Sequence, residues 1–130
     1  MKKVLLLILI FSPLNLIGQE LECCKTEKDV ETYLSGDWKK KDSDLNRLYR
    51  NEFKNGKGKF KVFFINEEGT LKPAEENVPE IRILKKEYGF EIEHDFGVVK
   101  TITGIKYLDS NKLIVTRRDG AETEYYKIIE

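Results

Sequence analysis

The sequence predicts an all-β fold: an eight-stranded antiparallel up-and-down barrel with one short helix in front of it. Three observations carry that reading. From Asp37 onward apolar residues recur with a period of two, the period of a strand with one dry and one wet face. Turn-forming pairs such as Asn55-Gly56 and Asp119-Gly120 punctuate the pattern at short intervals. A helical period shows once, between Thr26 and Leu34. Short links favour a meander, and closing it into a ring removes the exposed edges.

The helix comes first. Thr26 is its N-cap, with Asp29 three residues on in a variant of the capping box. Val30 and Leu34 share a face flanked by Tyr33. Gly36 ends it, because glycine readily takes the left-handed conformation found just past a helix. So narrow an apolar stripe needs a larger surface to lie against, and one end of a barrel would supply it.

Residues 37–41 form the first expected strand, and Asp42-Ser43-Asp44 a polar turn. Residues 45–54 and 59–66 flank the Asn55-Gly56 turn. In the latter, Phe60, Val62 and Phe64 alternate with Lys59, Lys61 and Phe63. Residues 71–79 read as the longest loop, with an edge-strand stub at 70–72, since neither Pro73 nor Pro79 suits a central strand. Strands follow at 81–86 and 90–96. The second of these puts Phe90, Ile92, His94 and Phe96 on one face and Glu91, Glu93 and Asp95 on the other. The next runs over 98–108, with Gly104 as its expected bend or bulge. Residues 112–118 and 122–129 complete the set.

Residues 1–18 read as a secretory signal peptide: Lys2 and Lys3, an apolar run over 4–11, and a small-residue site ending at Gly18. The run is short for a bilayer span, so no stable membrane span is expected once the leader is cut. The expected domains are thus a leader, 1–18, and a barrel, 19–130, exported to the periplasm or beyond. Cleavage would leave 21 basic against 23 acidic residues. No basic field results, which argues against nucleic acid as a partner. Cys23 and Cys24 are the only cysteines. Glu22 before them argues against lipid attachment. Adjacent cysteines do not easily meet disulfide geometry without distorting the peptide between them. Two such thiols could bind a metal or pair between chains, and an exposed or partly packed pair near the terminus is the expected arrangement.

The helix leading into Gly36-Asp37-Trp38, the eight-strand meander, and the closing pair Lys112-Leu113-Ile114-Val115-Thr116-Arg117-Arg118 and Thr123-Glu124-Tyr125-Tyr126-Lys127 together resemble a bacterial lipocalin-like domain over residues 26–130. The resemblance implies a calycin-type barrel that binds a small apolar ligand. It also implies that Trp38 packs at the closed end beneath an arginine. Arg117 and Arg118 are the candidates, although both precede the last hairpin rather than follow the last strand.

No catalytic constellation is legible. His94, the single histidine, shares its strand face with Phe90 and Ile92. There it serves as a core residue or as a polar group that orients a ligand. Glu91, Glu93 and Asp95 take the wet face beside lysines and read as a solvated row. No nucleophile–base pair, metal-ligand set or phosphate-cradling loop is present, so an enzyme, a metal and a cofactor are not expected. The expected function is an exported barrel binding a small hydrophobic molecule. Phe60, Val62, Phe64, Phe90, Ile92 and His94 would form the wall, and Gly36 and Trp38 the closure. The alternative is an exported interaction or inhibitor module with a filled barrel, working through the 71–79 loop. The oligomeric state stays open.

Overall fold

The computed structural model describes residues 21–42, 46–74 and 78–128. The expected leader, the Ser43-Asp44 turn, the middle of the 71–79 loop and the end of the last strand lie outside the described residues. Helix α1 spans Glu27–Leu34. Its capping box is reciprocal: the Asp29 N–H donates to Thr26 Oγ1 and the Thr26 N–H to the Asp29 carboxylate, each at 3.1 Å. N–H donors from Lys25 and Thr26 hold the Asp29 carboxyl below its ordinary pKa. Val30 and Leu34 are fully buried. The Ser35 N–H closes the last turn on the Glu31 carbonyl, and Gly36 leaves it at φ +124°.

Nine strands follow: β1 (Gly36–Lys40), β2 (Arg47–Lys54), β3 (Lys57–Ile65), β4 (Leu71–Pro73), β5 (Glu80–Lys86), β6 (Gly89–Asp95), β7 (Lys100–Leu108), β8 (Lys112–Thr116) and β9 (Glu122–Lys127). Eight of them form a closed antiparallel barrel in chain order, with β9 returning to pair with β1. The stub β4 lies outside the ring, paired only with the end of β3. Asn55 and Gly56 take φ of +53° and +79°, the mirror-image turn that suits two right-twisted strands.

Register assigns the faces. Trp38 lies opposite Tyr49 and Lys127, Asn51 opposite Phe60, and Ile81 opposite His94, so all of these line the inside. The acidic row of β6 faces out into cross-strand ion pairs: Arg82–Glu93 at 3.1 Å, Lys86–Glu91 at 3.6 Å and Lys100–Asp95 at 3.9 Å. Exposed pairs of this kind add at most about 1 kcal/mol each, so they mark the wet face more than they stabilise it.

Two expectations are corrected here. Gly104 keeps a regular register with Glu91 and Thr116, and the bulge falls between Ile105 and Tyr107. The extra residue lets Ile105 and Leu108 both point inward while Tyr107 turns to solvent. Cys23 and Cys24 are bonded to each other rather than unpaired. They sit in a turn closed by the Cys24 N–H on the Leu21 carbonyl, and Cys24 is buried with Leu21 in the core that includes Trp38. Core packing, not a free terminus, sets their environment.

Gly58 marks the tightest interior approach. A Cβ there would stand 2.6 Å from both Ile81 Cγ1 and Phe53 Cε1. Gly58→Ala is expected to lose about 1–3 kcal/mol, as overpacked cores do. Chemical denaturation measures it, and an unchanged midpoint would show that Phe53 swings clear at no cost.

Candidate ligand site

One end of the barrel is shut from inside. The Trp38 indole N–H donates to the Leu34 carbonyl at 2.8 Å, and the Asn51 amide donates to the same oxygen at 3.2 Å. The helix end is thereby tied to β1 and β2, and its free carbonyl is satisfied. Above the indole lies a cation, the Lys127 ammonium, 4.9 Å from the ring and donating to the Tyr33 carbonyl at 2.8 Å. Burial lowers the Lys127 pKa. Arg117 and Arg118 do not take this place; both are exposed, and Arg117 pairs with Asp119 at 3.2 Å. The stem of Lys127 also lies against Gly36, 3.5 Å from where a Cβ would stand.

Above Trp38 the interior holds a small void of about 100 Å³. Tyr49, Asn51, His94, Thr103 and Tyr125 give it polar atoms, while Leu34, Trp38, Phe60, Ile81 and Ile92 are among its apolar walls. Desolvation pushes the His94 pKa down from 6.5 to about 4, so the imidazole is neutral at ordinary pH. Burial also raises the Tyr125 phenol. The void therefore presents uncharged donors and acceptors. It holds a few waters or one small head group, far below the roughly 300–1,000 Å³ of a typical ligand pocket.

The larger concavity lies at the side. β3 and β5 share only two residue pairs, Gly58–Ile81 and Lys59–Glu80. Beyond them the ladder gives way to contacts with Ala74 and Pro79. The Phe60 N–H donates to the Pro79 carbonyl and the Ala74 N–H to the Val62 carbonyl. A cleft of about 720 Å³ opens at this seam. Phe60, Val62, Phe63, Pro73, Val78 and Phe96 dominate its lining, with Lys61 and Lys72 beside them.

The expected wall residues divide among these places. Phe60 lines both the cleft and the void, Val62 lines the cleft, and Ile92 and His94 line the void. Phe90 is 6% exposed in the core and borders neither. Phe64 shares the inward register but lies at the open end, 44% exposed, with the Arg47 guanidinium 5.3 Å from its ring. Phe63 faces outward beneath Arg50, 4.7 Å away, and Arg50 itself grips Asp37 at 2.7 and 3.1 Å. Sequence reasoning missed Tyr49, Asn51, Thr103 and Tyr125. Alternation along β2, β7 and β9 was the available signal, but the inward face of β2 carries Arg47 beside Tyr49 and Phe53, and that of β9 carries Lys127 beside Tyr125.

Among the described residues, no three His, Cys, Asp or Glu side chains converge as metal ligands, and no helix is long and apolar enough to cross a membrane. The fold and site define a closed eight-stranded antiparallel β-barrel, shut at one end, with a small inner void that carries a few uncharged polar groups on a mainly apolar wall and a larger, mainly apolar side cleft. Comparison with known proteins finds no matching protein-family model and no matching curated protein.

Proposed function

We propose that this is an exported, lipocalin-like, non-catalytic barrel that binds a small, largely apolar ligand, seated mainly in the β3–β5 cleft rather than wholly within the lumen. The observation that carries the proposal is the contrast between the two cavities. The cleft has ligand-sized volume and an apolar lining, whereas the lumen is nearly filled by side chains. Few polar groups reach the cleft, so affinity should be about micromolar.

The test starts from the full chain expressed with residues 1–18. Intact mass of the exported product should place its first residue near Gln19; retention of the 4–11 run would overturn the export reading. The same material, titrated with the neutral apolar dye N-phenyl-1-naphthylamine, should bind saturably, and Val62→Asp should abolish binding without unfolding the barrel. Absence of saturable binding below about 100 μM would overturn the ligand reading.

A second reading has its own observation. Phe64, Phe96, Val98 and Val99 lie 44%, 47%, 96% and 55% exposed at the open end. Apolar residues gathered at a rim suit a protein partner. An interaction module with a filled barrel becomes the better account if no small ligand binds.

A further inference from the structure

We infer that Phe60 is a gate, and that the side cleft and the inner void are two chambers of one site, the inner of which selects an uncharged, hydrogen-bonding head group. This rests on the ligand-binding reading above and adds to it the class of ligand and the residue that sets its length.

Among the described residues, Phe60 is the one common to the two linings. The paired ladder of β3 and β5 ends at Lys59–Glu80, and the described backbone contacts beyond it are the Phe60 N–H to the Pro79 carbonyl and the Ala74 N–H to the Val62 carbonyl. The group that borders both cleft and void is the Phe60 side chain, and side chains move between staggered rotamers where backbone ladders do not. The ring is half-buried rather than locked in the core. Aromatic contacts hold it: Tyr49 stacks at 5.9 Å and His94 meets it edge-on at 4.8 Å. Phe96, a cleft residue, stacks on the far side of the His94 region at 6.2 Å. Each such pair contributes modestly, and a ligand can offset the loss by burying a few methylenes.

Beyond the gate the chemistry is neutral. The wall of the void is mainly apolar; its polar groups are two phenols, an imidazole, a hydroxyl and an amide, with no carboxylate, ammonium or guanidinium among its lining residues. A charged head group placed there would lose its hydration with no opposite charge in the lining, since Lys127 lies against the Trp38 ring and already donates to the Tyr33 carbonyl, whereas a hydroxyl or amide would find donors and acceptors. The fitting ligand is a linear neutral amphiphile, head inward past Phe60 and apolar body along Val62, Phe63 and Val78 in the cleft.

Displacement of N-phenyl-1-naphthylamine by a series of 1-alkanols and by the matching carboxylates tests this, with Trp38 emission as a reporter because Trp38 lines the void. In Phe60→Ala the affinity for long alkanols should rise about tenfold, the effect of burying roughly two more methylenes, and Trp38 emission should respond. Carboxylates should gain nothing. Phe60→Leu, which keeps an apolar side chain and secures folding, should move the same way by less. If wild type binds the alkanols but both variants show its chain-length profile with Trp38 silent, the gate is overturned and the ligand reading stands. If carboxylates gain as alkanols do, the neutral chamber is overturned. If no protein of the set displaces or binds the dye, both readings fall.

Discussion

Replacing Trp38 by alanine is expected to destabilise the barrel by about 3–5 kcal/mol, as truncation of a large core aromatic does. Trp38 is 1% exposed and is the largest fully buried side chain. Its removal empties the closed end, widens the void below Phe60 and leaves Lys127 without a ring to cover. It also removes one of the two donors to the Leu34 carbonyl, loosening α1 from β1. Domains of this size have about 5–15 kcal/mol in hand, so the variant should be near the edge of folding. Trp38→Phe separates the effects: it keeps most of the packing, loses the indole donor, and should lose about 1 kcal/mol plus the effect of its smaller volume. Urea unfolding followed by far-ultraviolet circular dichroism measures both. A loss under about 1 kcal/mol for the alanine variant would remove Trp38 from the centre of the fold.

The second large effect is a dependence of stability on pH between 6.5 and 4. Burial holds the His94 pKa near 4 against an ordinary 6.5. Below 6.5 the unfolded chain takes up a proton that the folded His94 refuses until about pH 4. Stability is therefore full above 6.5 and falls as pH drops through that window, by up to about 3 kcal/mol at 1.36 kcal/mol per pKa unit. Asp29 and Asp109 are shifted in the same direction, downward, but from a lower starting value. N–H donors from Lys25 and Thr26 lower the first, and the Tyr107 hydroxyl and the Asn111 N–H lower the second. Their contributions are present above the ordinary carboxylate value of 3.8 and disappear only as pH falls below it, beneath most of the His94 window. His94→Gln should flatten the slope between pH 6.5 and 4.5 and leave the steeper acid limb. An imidazole titration midpoint near 6.5 in the folded protein, read by NMR, would refute this.

Much of the fold was legible because its signals are local. The capping box at Thr26 needs four residues, the Asn55-Gly56 turn needs two, and the inside–outside assignment of Glu91, Glu93 and Asp95 needs only alternation along one strand. The pairing of a helix end with Trp38 was legible for the same reason, since Leu34 and Trp38 are four residues apart. Other features could not be read this way. Alternation says which face a side chain takes but not how far along the barrel axis it lies. Phe64 and Phe60 share a face, yet one is exposed at the rim and the other separates two cavities.

By itself, the sequence determined an all-β chain of alternating strands with a capped helix ahead of them, and a tryptophan at the junction. Only the tertiary structure decided that Lys127, not Arg117 or Arg118, covers Trp38, because β9 returns beside β1 and brings its last residue opposite the indole. It decided that Cys23 and Cys24 are joined and that their turn packs into the core. It also decided that the lumen shrinks to about 100 Å³ while a cleft of about 720 Å³ opens at the side. Interior volume is a sum over side chains from all eight ring strands, and the cleft exists because β3 and β5 part after two residue pairs. Both depend on partners far apart in the chain, which no local pattern specifies.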